Sequence, residues 1–144
     1  MEAGATSILL VAAAGAAATA IDLRTRRVPN ALTFGTGVFG LALAAMQAGD
    51  IGIGAALAGG LIGLALMLPG YVFGATGGGD VKLLAAFGTL LGPGDTVTAF
   101  VAMAIAGGGI ALALMLRRRW AGSTDRYFAY APAVAIGALA AALT

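Results

Sequence analysis

Residues Ala75 to Gly88 read A-T-G-G-G-D-V-K-L-L-A-A-F-G. Three glycines, Gly77, Gly78 and Gly79, lead into the ionisable Asp80, with Lys82 close behind and strongly apolar sequence on either side. Whether this stretch is a surface loop or the head of a helix at membrane depth decides the fold. At that depth a charged group costs about 2.5–3.5 kcal/mol even on the most lenient insertion scale, so an aspartate there marks a functional site by default.

Composition decides for the membrane. The chain has 144 residues, 60% hydrophobic and 10% charged, with a mean hydropathy of +0.99. Soluble domains carry about 25% charged residues. The apolar tracts are long enough to cross a hydrocarbon core of about 30 Å, which takes about 20 helical residues, and only short polar breaks separate them. An all-α, polytopic helical bundle follows, as one membrane-embedded domain over residues 1–144. The chain contains no cysteine and no histidine. Disulfides, thiolate zinc sites, Cys or His nucleophiles and a Ser-His-Asp triad are therefore excluded. Carboxylates remain as acid-base groups, and no cofactor and no metal is expected.

Working outward from the glycine stretch, six spans emerge at about 20 residues or fewer each. The first runs from about Gly4 to Ile21. It opens with Glu2 where a secretory signal carries Lys or Arg, so it reads as a retained span. Asp22-Leu23-Arg24-Thr25-Arg26-Arg27-Val28-Pro29-Asn30 ends it, and the Pro-Asn pair makes a turn that can start the next helix. Span two covers about Ala31 to Ala48, and a Gly49-Asp50-Ile51-Gly52 turn leads to span three, about Ile53 to Phe73, with Pro69 and Gly70 near its far end. Span four starts around Asp80 and reaches Leu91, where Gly92-Pro93-Gly94-Asp95 breaks it. That gives roughly 18 Å of helix, short for a crossing. Span five, about Thr96 to Leu116, stops at Arg117-Arg118-Arg119, and span six runs from about Phe128 to Leu143.

The charges test this count. Loops after spans one, three and five hold Arg24, Arg26, Arg27, Lys82, Arg117, Arg118, Arg119 and Arg126, which are all the basic residues of the chain. By the positive-inside rule that face is cytoplasmic, and both termini, Asp50 and Asp95 face the other side.

In this topology Asp22 and Asp80 lie at the cytoplasmic ends of their spans, at comparable depth. Two aspartates around one water can hydrolyse a peptide, one as base toward the water and the other as acid toward the carbonyl oxygen or leaving amine. The helix dipole favours charge on Asp80, near a helix N-terminus, over Asp22, at a C-terminus, whereas the arginines beside Asp22 favour charge there. That order stays open at the level of sequence.

Plainer readings stand beside these. Asp22 can be a flanking charge that ends a helix, and Asp80 an N-cap after a glycine turn. A phosphate cradle at Gly77 to Gly79 lacks both a preceding strand and the Walker lysine spacing, so close backbone approach to an extended peptide is the better reading. Lys82 lies on a different helix face from Asp80, with snorkelling to the interface as its plain role. Arg117 to Arg119 read as a stop signal at anionic lipid, and Asp50, Asp95 and Asp125 as turn or surface residues. Spacings such as Gly59 to Gly63 and Gly70 to Gly74 suit close helix packing.

Gly77-Gly78-Gly79-Asp80-Val81-Lys82-Leu83 resembles the GxGD signature of membrane aspartyl proteases, in the G-x-G-D-x-K-L form of type IV prepilin peptidases. Asp22 with Val28-Pro29-Asn30 resembles that family's first motif, and Tyr130-Ala131-Pro132 through Gly137 its Pro-containing last span. The three matches occur in order along nearly the whole chain. Archaeal preflagellin peptidases and presenilin-like proteases share GxGD but fit the Pro-Asn element less well. The resemblance implies Asp22 and Asp80 as the catalytic pair, with Gly77, Gly78, Gly79, Lys82, Pro29 and Asn30 as substrate-binding or loop residues.

It also implies a substrate class, prepilins and pseudopilins, cut between a short basic leader and an apolar membrane helix. Membrane lipid is the other expected partner, and no nucleic acid is expected. The expected place is the bacterial cytoplasmic membrane, with the active site toward the cytoplasm. Larger members of that family carry a long cytoplasmic insertion with paired cysteines after the first span. This chain lacks it and is similar to the small peptidases of tight-adherence (Flp) pilus systems, which leaves N-methylation unsupported. The competing reading is a small helical transporter or a pilus or secretion assembly subunit, with Asp22 and Asp80 as an ion or proton site.

Overall fold

The computed structural model describes residues 5–25, 27–48, 51–74, 76–121 and 131–143, and these are helical apart from short connections. Helix α1 is Ala5–Thr25, α2 Asn30–Ala45, α3 Ile53–Val72, α4 Gly78–Ala121 and α5 Ala131–Ala142. Three of them, α1, α3 and α4, are long and apolar enough to cross a membrane, and α2 is a shorter apolar helix. The 20 residues of α3 span about 30 Å, the thickness of a hydrocarbon core. Large apolar side chains point outward, among them Phe73 at 85% and Phe34 at 76% exposure. Water does not tolerate such a surface, and lipid tails do. The chain is an all-helical membrane protein.

Expected spans four and five form one element. Helix α4 has 44 residues and a single non-helical residue, Gly92, at φ 79° and ψ 179°. That region of backbone space is essentially open to glycine alone. Pro93 follows as the first residue of the restarted helix, where its missing N–H costs nothing. Thr96 Oγ1 donates to the Gly92 carbonyl oxygen at 2.5 Å, which ties the new turn to the break. The interruption expected over Gly92 to Asp95 is thus confined to one residue, and Asp95, expected in a turn, is helical and half-buried. Among the described residues five helices stand where six spans were expected, with the two arms of α4 (78–91 and 93–121) in the places of the fourth and fifth.

Other boundaries move by a few residues. Helix α1 continues to Thr25, whose Oγ1 donates to the Ile21 carbonyl at 2.9 Å, so Asp22 lies in the last turn of the helix and not beyond it. Helix α2 ends at Ala45, ahead of the expected Ala48, and Gln47 then takes a positive φ of 52°. Glu2, Gly4, Arg26, the Gly49-Asp50 part of the turn, Asp125, Arg126 and the stretch from Phe128 to Tyr130 lie outside the described residues.

The first arm of α4 is the core. Val81, Leu83, Leu84, Phe87, Leu90 and Leu91 on it are all buried. Helices α2 and α3 lie along this arm, α5 packs on the second, and α1 packs mainly on α5. Hydrophobic drive between helices is weak in lipid, so close backbone approach has to hold them. A Cβ on Gly59 of α3 would overlap the Gly88 carbonyl oxygen of α4, and one on Gly63 would stand 2.8 Å from the Leu84 carbonyl oxygen. The Gly59 to Gly63 spacing is therefore a helix contact. The Gly70 to Gly74 spacing is not: Gly74 has a φ of 72° and open space around it, which makes it a turn glycine.

These contacts set a stability test. Gly59→Ala should cost about 3 kcal/mol, the upper end of overpacking, because the obstacle is backbone and cannot rotate away. Gly35→Ala on α2, with nothing within 4 Å of the added carbon, should gain about 0.5–1 kcal/mol. Thermal unfolding of both variants in detergent checks this, and equal shifts would overturn the α3–α4 packing.

Candidate active site

Asp22 in the last turn of α1 and Asp80 in the first turn of α4 meet in one cleft. Both are buried, at 7% and 8% exposure. The cleft has a volume of about 460 Å³, and its walls are Asp22, residues 27–30 and residues 77–80. The two carboxylates are near enough for the charge of Asp22 to act on Asp80.

Local sequence explains the meeting. The connection from α1 to α2 is short, and Pro29 ends it in an extended conformation, φ −63° and ψ 135°. Its carbonyl oxygen accepts from the backbone N–H of Leu32 at 3.1 Å and of Thr33 at 3.3 Å, which starts α2 without a side-chain cap. Val28, just before it, packs on the glycine stretch: a Cβ on Gly79 would come within 3.1 Å of the Val28 Cβ. The end of α1 is thereby held against the head of α4.

Asp80 is the third residue of α4 and not its cap. The Gly77 carbonyl oxygen accepts from the Asp80 N–H at 3.1 Å and the Val81 N–H at 3.3 Å, closing the first turn. In return the Asp80 carboxylate hydrogen-bonds the Gly77 backbone, the acidic half of a capping box. A carboxylate is well placed there, because the first amides of a helix lack partners and the dipole favours negative charge.

The glycines answer to the chain's own groups. A Cβ on Gly77 would sit 3.3 Å from Asp80 Oδ2, and one on Gly78 would sit 3.3 Å from the Tyr71 ring. With Gly79 against Val28, each glycine makes room for a different neighbour. Their expected close approach to an extended peptide is joined by this crowding from within.

Pro29, Asn30, Gly77, Gly78 and Gly79 line the cleft with the two aspartates. Lys82 does not. Its exposed side chain donates from Nζ to Asn30 Oδ1 at 3.0 Å, which ties α4 to α2. Arg27 and Val28 also line the cleft, although sequence reading took Arg27 as part of a topogenic charge cluster. The signal was present in its closeness to the Val-Pro-Asn turn. A space of this volume holds several waters, at about 30 Å³ each, or a short length of extended peptide. Among the described residues no three acidic, histidine or cysteine side chains gather, so the donor set at the cleft is the two carboxylates and neighbouring carbonyl oxygens.

Two carboxylates buried in one cleft cost stability, as functional groups commonly do. Asp22→Asn and Asp80→Asn should each leave the fold as stable or raise it by about 0.5–2 kcal/mol, since asparagine at 80 can still accept from Gly77. Detergent melting curves of the two variants test this. A clear fall in both would show that the pair is a structural device.

The model of the type IV leader peptidase family matches residues 8–112, a stretch that contains Asp22, the Pro29-Asn30 turn, the glycine stretch and Asp80. No curated protein and no solved structure gives a match. With well over half of its length matched, the chain belongs to the type IV leader peptidase family.

Proposed function

We propose that this protein is an aspartic endopeptidase of the GxGD type, acting within the membrane to remove the basic leader of prepilin or pseudopilin precursors. The observation that carries the reading is the joining of Asp22 and Asp80, distant in sequence, in one cleft at adjacent helix ends. Family membership supports a peptidase, and the two carboxylates give it a mechanism.

One carboxylate takes a proton from a water held between the pair, and the water oxygen attacks the scissile carbonyl carbon. The other, protonated, donates to the carbonyl oxygen as the tetrahedral intermediate forms. Collapse breaks the C–N bond, and the amine leaves with a proton from the first carboxyl group. The gem-diol proton returns to the second, which restores the pair. Arg27, exposed, also lines the cleft, and the buried carboxylate disfavours an acidic residue of the substrate beside it.

The charges suggest how the protein lies in the membrane. Every basic residue falls on the side of the cleft in a six-crossing arrangement, counting the two arms of α4 separately. We therefore take the cleft to face the cytoplasm of a bacterial inner membrane, with both termini on the other side.

The test is leader removal from a co-expressed precursor that carries a basic leader and an apolar segment. Wild type should cleave it, and Asp22→Asn and Asp80→Asn should each lose about 10²–10⁴-fold in rate at normal membrane levels. Cleavage surviving both substitutions would remove the carboxylates from the chemistry and favour an ion or proton site.

A further inference from the structure

Helices α2 and α3 both lie along the first arm of α4 yet meet each other far less than either meets α4. The gap between them is a groove of about 670 Å³. Three helices line it at helical spacing, α2 from Asn30 to Leu41, α3 from Leu57 to Leu64 and α4 from Lys82 to Thr89. Residues three and four apart recur in each set, so the groove runs along the helices for two turns on α3 and α4 and three on α2, about 10–16 Å. Its floor is small, made by Gly37, Gly60, Ala85 and Ala86, and its rims are exposed apolar side chains such as Val38 and Leu61. Small residues under apolar ridges are what an incoming membrane helix packs on closely.

One end of this groove is polar. Asn30 and Lys82 stand there, joined by their hydrogen bond, and Asn30 also lines the cleft that holds Asp22 and Asp80. A single residue therefore borders both spaces. We propose that the α2–α3 groove seats the apolar segment that follows the scissile bond, with the Asn30–Lys82 pair as the threshold between it and the cleft; this rests on the peptidase reading above.

The continuity of groove and cleft at Asn30 separates this occupant from a lipid. A phospholipid could set a tail in the groove and its phosphate at Lys82, but it has no group for the cleft that Asn30 joins to the groove, where two carboxylates disfavour a further anion. A polypeptide suits both spaces at once. Its apolar helix fills the groove, and its basic, extended part lies in the acidic cleft. The chemistry of the lining changes at Asn30, where such a substrate changes too.

The absence of cysteine makes the test clean. Asp80→Asn protein carrying Val38→Cys or Leu61→Cys is co-expressed with a precursor bearing one cysteine in its apolar segment, one to two turns past the leader. In isolated membranes treated with copper-phenanthroline and oxygen as oxidant, both positions should form a disulfide with the precursor. A cysteine at Ile105, 72% exposed on the second arm of α4, should not. In the active protein Ala85→Leu, which fills the floor, should lower kcat/KM for the full precursor about tenfold, and Ile105→Cys should leave it unchanged. Cross-links equal at all three positions, or cleavage unaffected by Ala85→Leu, would overturn the groove while leaving the peptidase intact. Failure of the wild type to cleave the precursor would overturn both readings.

Discussion

Everything in this protein depends on placing a carboxylate at the head of a helix that is buried on nearly every side. In lipid each backbone amide and each charge must be satisfied from within the protein. The first arm of α4 meets that demand in the way it starts. Gly77 closes the turn with its carbonyl oxygen and receives the Asp80 carboxylate at its amide, so the orphan donors and the charge answer each other. The arm behind it is sealed by Leu83, Leu84 and Phe87, all fully buried. Asp80 is consequently held on a rigid element with its carboxylate turned toward the linker and α1.

The same demand explains the glycines. Helices with little hydrophobic drive between them hold by approaching closely, and α3 reaches α4 through backbone-to-backbone contact at Gly59 and Gly88. Gly37 and Gly40 bring α2 against Ala86, Thr89 and Leu90 in the same manner. Two threonine hydroxyls are satisfied within their own helices: Thr89 Oγ1 donates to the Ala86 carbonyl at 2.7 Å and Thr36 Oγ1 to the Leu32 carbonyl at 2.8 Å. Gly92, inside α4 with a positive φ, turns one long element into two arms, so that a core helix too short to cross continues into a second that serves α5.

Much of this was legible in the residues, for physical reasons that differ from feature to feature. Apolar length and one-sided basic charge gave the helices and their order, because the bilayer imposes both on composition. The comparable depth of Asp22 and Asp80 made a pair possible, and the fold brings them into one cleft. What could not be read was anything set by tertiary contact. The break at Gly92 looked like a four-residue turn, since glycine and proline announce an interruption without telling how small it is. Asp95 looked exposed for the same reason. Lys82 looked like an anchor, and only the fold brings Asn30 within 3.0 Å of it. Arg27 was hidden by its neighbours, because a run of arginines reads as one topogenic signal and not as one residue at a cleft.

Asn30 shows why the turn after α1 reads Val-Pro-Asn. Val28 is the contact that presses the linker onto Gly79, and Pro29 sets the extended entrance to α2 and supplies the carbonyl that begins it. Asn30 then falls at the first helical position, on the border of cleft and groove, where its oxygen can hold Lys82. A charged residue here would add a second cation or a third anion to a site already defined by two carboxylates, and an apolar one would leave the ammonium without this partner. A neutral acceptor ties α2 to α4 and adds no net charge at the point where an apolar channel meets an acidic one. That is the property a threshold needs if a substrate is to change from helix to extended chain as it crosses.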